Sequence, residues 1–478
     1  MRRPWVMMVL AGAVAASCAA SLAVTTTPAI GAVAWAGGWG KAIEVPGLAR
    51  LSAGFGGGLT EVSCSSPGDC AAGGSYAFDA SGHSQAFVVS EKDGTWGKAI
   101  EVPGLAALNT GGDAQLTSLS CGSAGNCAAG GSYTASKGVR AFVVSEKNGA
   151  WGRAMPVPGV AALRGATGGS YVSSVSCASA GNCTAGGSYS GTGYGQLFVV
   201  SEKDGTWGRA IEVPGLAAMD AGAPVGVDSV SCASAGNCAV AGFYGVAPPL
   251  AFVVSEKNGS WGKAIEVGGS AALGGVTLTS VSCASAGNCA AAGYGGDRYG
   301  LEALGPIVVS EKNGIWGKAI AVPGTSDGSR DAAASVSCWS AGNCVAVGND
   351  APTVYGPYQG FVVREKNGSW GKAIDVPGLA ALNAGGVANV LSVSCESARN
   401  CAAGGFYWDS SSHQQAFVVS EHNGWWGKAI EVPGSGALNT GGSAEVNSMS
   451  CTAAGYCAAG GYYTDQSGNN GTFVVSRT

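Results

Sequence analysis

The residues with the clearest chemical signature are the cysteines. Of 17, all but Cys18 fall into pairs six residues apart: Cys64/Cys70, Cys121/Cys127, Cys177/Cys183, Cys232/Cys238, Cys283/Cys289, Cys338/Cys344, Cys395/Cys401 and Cys451/Cys457. An even, evenly spaced set behind an export signal reads as a disulfide framework. Structural zinc is the competing reading, but the offset is not a usual ligand spacing and the chain holds only 3 histidines. The pattern predicts eight bridges, no metal and no cofactor.

Other side chains offer less. A copper or iron centre needs histidine ligands, yet His83 and His413 fall in loops and His422 lies beside a turn, where solvated residues are the expected case. Asp79, Asp409 and Asp465 could ligate Ca²⁺, although Asp-x-x-Gly ordinarily marks a turn. Glu91, Glu146, Glu202, Glu256, Glu311, Glu365 and Glu421 occupy one position in successive repeats. A catalytic carboxylate belongs in one repeat, so recurrence argues for a structural or solvated role. No nucleophile elbow, phosphate loop or HExxH motif is present. The candidate ligand-binding residues are therefore aromatic: Tyr76, Tyr133, Tyr189, Tyr244, Tyr407, Trp408 and Tyr463. Such rings offer a large apolar area with a polar tip, which suits sugar or protein surfaces. Tyrosines that merely cover strand ends are the competing reading.

What positions these residues is a repeat. Trp-Gly recurs at Trp39, Trp96, Trp151, Trp207, Trp261, Trp316, Trp370 and Trp426, at intervals of about 55 residues. Each unit holds four strand-like runs, as in Leu116 to Cys121, Cys127 to Tyr133, Ala141 to Glu146 and Trp151 to Val157. Asn148-Gly149 and its equivalents, from Asp93-Gly94 to Asn423-Gly424, predict a two-residue hairpin between the third and fourth runs, because both positions tolerate positive φ. The cysteines flank the turn of a second hairpin. Small Ser, Ala and Gly residues in runs one and two suit strands that converge on an axis. Trp, Ile and Val of the fourth run are expected to share one bulky face.

After residue 37 the chain opens on a fourth run and ends on a third, Phe473 to Ser476. That offset predicts an all-β, eight-bladed β-propeller with four-stranded blades, its ring closed by the N-terminal strand completing the last blade. A β-helix or other all-β array is the alternative. In a propeller the variable loops, from run two to run three and into run one, share one face.

Ser90-Glu91-Lys92-Asp93-Gly94-Thr95-Trp96 resembles the Asp-box (BNR) repeat of sialidase-type propellers, with altered spacing and Asn for Asp in most copies. Gly73-Gly74 and the later double glycines, each followed by an aromatic, resemble kelch repeats, but the kelch Tyr-to-Trp spacing is absent. Nearly the whole chain is also similar to secreted bacterial repeat proteins built from S-C-x-S-x-x-x-C-x-A-x-G units, a resemblance that implies a propeller and no particular activity. Sialidase chemistry would need three convergent arginines, and Arg140, Arg153, Arg209 and the rest show no such pattern.

The 478 residues are 46% hydrophobic and 12% charged, with 82 glycines and a net charge of -5. This composition describes short strands and turns and excludes disorder. The scattered lysines and arginines offer no phosphate-binding surface, which excludes nucleic acid. Arg2 and Arg3, the uncharged stretch Val6 to Val24 and Ala32-Val33-Ala34 form an export signal over 1–34, ahead of a propeller domain over 35–478. An uncleaved anchor and lipoprotein attachment at Cys18 are the minor alternatives, and no later segment is long and apolar enough to span a bilayer. The expectation is a secreted, monomeric, non-catalytic binding or scaffold module presenting a loop-rich face to a glycan or protein. A carbohydrate-active propeller hydrolase or lyase and a cell-envelope structural protein are the alternatives.

Overall fold

A computed structural model describes residues 38–477 except 167, 192–194, 221–224, 246–247, 297–304, 327–331 and 352–355. The export signal expected over 1–34, with Cys18, lies outside the described residues.

Eight antiparallel sheets follow one another around a ring. Their innermost strands, which number blades 1 to 8, are Gly57–Ser66, Ala114–Ser123, Ser170–Ser179, Val225–Ser234, Val276–Ser285, Ala332–Ser340, Ala388–Ser397 and Ala444–Cys451. In blade 2 the chain continues outward through Asn126–Ala135 and Gly138–Lys147 to a broken outer strand, Ala150–Trp151 and Met155–Pro156. The third strands carry the bulk of each core: Phe87, Phe142, Phe198, Phe252, Phe361, Phe417 and Phe473 are fully buried.

Both predicted hairpins are present. The Asx-Gly turns hold two consecutive positive φ values, 51° at Asn148 and 79° at Gly149, which is the mirror-image turn that matches strand twist. In the inner hairpin Cys121 lies directly opposite Cys127. All eight predicted pairs are bridged, each within its own blade and with Cα atoms 3.9–4.1 Å apart. Closing so short a loop is worth about 2 kcal/mol on chain-entropy grounds.

The sequence spacing treats the two cysteines of a pair alike, but the structure separates them. The first of each pair, Cys64, Cys121, Cys177, Cys232, Cys283, Cys338, Cys395 and Cys451, ends an innermost strand and is half-buried. The second, Cys70, Cys127, Cys183, Cys238, Cys289, Cys344, Cys401 and Cys457, starts the next strand outward and is buried, at 1–5% exposure. A neighbouring blade covers that second strand, so half of every bridge is shielded from solvent. These cysteines are packing residues as well as staples.

Each innermost strand bulges near its middle, between Leu116 and Ser118 in blade 2. The bulge drives a carbonyl against the second strand, where a Cβ at Gly131 would sit 1.9 Å from the Gln115 oxygen. Equivalent approaches of 1.8–2.1 Å occur at Gly74, Gly187, Gly242, Gly293, Gly348, Gly405 and Gly461. Only glycine fits there, which accounts for the second glycine of the Gly-Gly pairs.

The outer strand departs from the expected pattern. Trp96 pairs with Glu91 and Ile100 with Val88, so three residues oppose two across a bulge at Gly97 to Ala99. The bulge reverses the parity of the strand. Trp96 is buried while Ile100 is 43% exposed on the rim, so Trp and Ile do not share a face as expected.

The ring closes as predicted. Ile43–Glu44 is the outer strand of blade 8, with Ile43 opposite Val474 and Glu44 opposite Phe473. The Gly40 N–H donates to the Ser476 carbonyl at 2.9 Å and the Val45 N–H to that of Thr472 at 3.0 Å.

Adjacent blades are joined at three radii. At the rim, the proline that ends one outer strand offers its carbonyl to an alanine N–H of the next, as from Ala154 to Pro103 at 2.8 Å and from Ala99 to Pro46 at 2.7 Å. Midway, the repeat Trp donates to a serine of the preceding blade: Trp207 Nε1 lies 2.9 Å from Ser145 Oγ, which donates to Glu202 at 2.6 Å. Nearest the axis, serine hydroxyls accept from innermost-strand amides of the next blade. Val175 and Cys177 donate to Ser118 and Ser120, Val230 and Cys232 to Ser174 and Ser176, and so on around to Val62 and Cys64, which donate to Ser448 and Ser450. The serines expected only to be small are therefore hydrogen-bond partners.

Removing residues 38–46 takes away the outer strand of blade 8 and both of its rim bonds. The melting temperature of the shortened protein should fall by several degrees in calorimetry, with concentration-dependent association through the exposed edge. An unchanged transition would contradict closure by this strand.

Candidate functional site

The loops from second to third strands and those leading into the innermost strands open on one face. Three contiguous blades, 7, 8 and 1, build this face from the same turn. Asp79 Oδ1 accepts from the Ser81 and His83 amides at 3.0 and 3.1 Å. Asp409 does so from Ser411 and His413, and Asp465 from Ser467 and Asn469, at 2.8–3.0 Å. These carboxylates cap their own loops, the turn role weighed against calcium. Among the described residues no group of three or more His, Cys, Asp or Glu is placed to hold a metal ion.

The histidines tie these loops to the following blade. A side chain at Gly112, at φ +93°, would sit 2.4 Å from the His83 ring, and one at Gly442 would sit 2.8 Å from that of His413. His83 Nδ1 lies 2.6 Å from Asp79 Oδ2, which raises the imidazole pKa and lowers that of the carboxyl. The Phe78 ring stacks on His83 with centroids 5.9 Å apart.

The sequence-predicted aromatic residues divide into two groups. Tyr76, Tyr133, Tyr189, Tyr244, Tyr407 and Tyr463 are buried, at 2–7% exposure, and their rings pack in the blade cores. Five of the hydroxyls turn to a carboxylate on the outer strand of the same blade. Tyr76 donates to Glu101 at 3.1 Å, Tyr189 to Glu212 at 3.0 Å, Tyr244 to Glu266 at 2.7 Å and Tyr407 to Glu431 at 3.2 Å, and Tyr463 donates to Glu44. Burial, then the neighbouring carboxylate, pushes these phenols well above their ordinary pKa. In blade 2, Pro156 takes the place of that carboxylate and Tyr133 has no such partner. Only Trp408 of the seven is exposed, at 37%. Phe55 and Phe78 join it on this face at 45% and 36%. Sequence reasoning passed over both; their absence from the other repeats was the available signal.

The recurring glutamates line the seams. Glu91, Glu146, Glu202, Glu256, Glu311, Glu365 and Glu421 are 0–5% exposed, and burial raises each carboxyl pKa. At some seams another side chain joins or replaces the serine. Arg364 stands in the serine position of blade 6, pairs with Glu421 and covers Trp339. In blade 8 Tyr456 replaces the turn asparagine, and its hydroxyl lies 2.7 Å from Glu91. Glu61 is also exceptional. It occupies a serine position on the innermost strand of blade 1, accepts from Ser448 Oγ at 2.7 Å, and is pushed up to about 7 by burial.

No protein-family model matches the chain. No curated protein matches it either. Among solved structures, Sqt1 from Chaetomium thermophilum is similar over 91% of this chain and 100% of its own, at 10% identity and a TM-score of 0.50. The same protein bound to the N-terminus of the ribosomal protein L10 gives 11% identity and 0.49 over 88% and 97%. A mutant Aleuria aurantia lectin in complex with alpha-methyl-L-fucoside gives 10% and 0.35 over 78% and 96%. The first of these likenesses supports the propeller fold and nothing further.

The raised carboxyls set the response to pH. A group whose folded pKa lies above its unfolded value stabilises the fold at low pH and loses that contribution as pH rises through the folded pKa. Glu61, the seam glutamates and His83 all act in this sense, whereas Asp79 and Asp409, lowered from their ordinary value, act in the opposite one. The melting temperature should therefore be higher at pH 5 than at pH 8. Glu61→Gln should shrink the difference, chiefly between its ordinary value of 4.5 and about 7. A protein more stable at pH 8, with E61Q no different, would contradict the assignment.

Proposed function

We propose that the chain is a non-catalytic extracellular binding module whose loop face engages a glycan or protein ligand through blades 7, 8 and 1. One observation carries this reading: exposed aromatic rings on blades 7 and 1 flank blade 8, and aspartate caps hold the second-to-third-strand loops of all three blades in shape. Trp408 and Phe78 project from the second-strand ends of blades 7 and 1, and Phe55 from the loop leading into blade 1. Rings whose backbone is already ordered lose little entropy on binding, so their apolar area goes further toward affinity. Tyr407 and Tyr463 support the site from beneath as buried spacers between the loops and the outer-strand carboxylates.

The covalent chemistry supports an extracellular compartment. Eight bridges in one chain belong to an oxidising environment, and no described helix is long and apolar enough to cross a membrane. An ordered, aromatic-bearing face on a disulfide-bridged protein fits recognition outside the cell, on glycans or on protein surfaces.

The test is a glycan array together with pull-down of cell-wall fragments by purified protein. Trp408→Ala and Phe78→Ala should each weaken capture by about tenfold, the usual scale for an aromatic anchor, while melting temperatures stay within a degree or two. Capture unaffected by both substitutions, or absent from the parent protein, removes the loop face as the binding surface.

A further inference from the structure

The face opposite the loops, where the Asx-Gly turns and disulfide hairpins lie, carries two grooves at blade seams. One, of about 630 Å³, lies between blades 3 and 4; the other, of about 510 Å³, lies between blades 5 and 6. Both have a repeat Trp and a buried seam glutamate in their walls: Trp261 with Glu256, and Trp370 with Glu365.

The larger groove contains a carboxylate whose usual partner has been diverted. At other seams a serine of the preceding blade donates to the glutamate, as Ser145 does to Glu202 and Ser310 to Glu365. In blade 3 the corresponding serine is Ser201, and it pairs instead with Thr184 Oγ1 at 3.4 Å. Most other blades hold alanine at the Thr184 position, for instance Ala128 and Ala239. Glu256 is 5% exposed; its Oε2 lacks a hydrogen-bond partner, as those of Glu146, Glu311 and Glu365 do, but unlike theirs its Oε1 receives no serine hydroxyl, and no side-chain donor reaches it among the described residues. A buried acceptor left in this state is costly until a donor arrives.

The rest of the groove indicates which donor fits. Arg209 and Lys203 line the same groove, so a bare cation would meet like charge there and an anion would meet Glu256. Ile211, 44% exposed, and the half-buried Trp261 supply apolar surface, while Asn258 adds an amide. We propose that this groove is a binding site for one neutral sugar ring, whose hydroxyls donate to Glu256 and whose C–H face rests on Trp261 and Ile211. The site is separate from the loop face and stands or falls without it. A free monosaccharide and the terminal residue of a longer glycan present the same chemistry to it.

Saturation-transfer NMR with the methyl glycosides of glucose, galactose, mannose, fucose and N-acetylglucosamine tests this directly, followed by oligosaccharides ending in whichever sugar binds. At least one glycoside should bind the parent protein. Glu256→Gln should weaken it by about tenfold, the scale of a hydrogen bond to a charged group. Thr184→Ala keeps the alanine found in other blades, so it should fold normally; it returns Ser201 to Glu256 and should also weaken binding. Glu146→Gln, in a different seam, and Trp408→Ala should leave it unchanged. Binding of none of the five glycosides, binding by E256Q and T184A as tight as by the parent protein, or loss of binding in W408A alone would each overturn the assignment. Tighter binding of the oligosaccharides would identify a chain terminus as the source, and equal binding a free sugar.

Discussion

The structure depends on how eight separate sheets satisfy the edge nearest the axis. Each innermost strand has a row of amides facing away from its own blade, in a space too narrow to add another strand. Serine hydroxyls of the preceding blade meet those amides at 2.9–3.3 Å, for instance Ser63 with Cys121 and Ser335 with Val393. A buried amide without a partner costs about 1–3 kcal/mol, so a ring of such amides would otherwise outweigh the stability of an ordinary domain. A short side chain with a hydroxyl fits there and accepts a hydrogen bond; Glu61 of blade 1 is the exception.

The same economy of contact shapes the middle and the rim. Trp, Ser and Glu form a relay across most seams, as Trp207, Ser145 and Glu202 do, and at most rims a proline carbonyl bonds the next blade's alanine amide. Each blade is thus held by its neighbours more than by its own outer strand, which is only two short pieces around a bulge. Departures from the relay have local consequences. Arg364 in place of a serine brings a charge to Glu421, and Thr184 in place of an alanine draws Ser201 away from Glu256. Function is expected at such departures, because a position that must satisfy eight seams alike has little freedom to recognise anything.

Much of this was legible in the sequence. The Asx-Gly turns, the cysteine pairs and the offset between the chain's ends pointed to blade number, hairpins and closure, since each rests on local geometry or simple counting. Which cysteine of a pair is buried was not legible, because spacing says nothing of the blade that covers the second strand. The parity of the outer strand was hidden too, since a bulge at Gly97 to Ala99 leaves no mark beyond a glycine in a chain full of them. The tyrosines were read as a rim since they end their strands; their burial became visible only when the outer-strand glutamate was seen to lie two strands away. Glu61 and Thr184 were visible as exceptions to the repeat, yet what an exception does depends on the neighbouring blade, which no single repeat reveals.

Amide hydrogen exchange followed by NMR on the native protein tests the serine ring most directly. The Cys177 amide should exchange as slowly as amides inside the sheet, and Ser120→Ala should speed it by about tenfold or more while distant blades are unaffected. Fast exchange at Cys177 in the unaltered protein, or no change on removing the hydroxyl, would show that the inner edges are held in some other way.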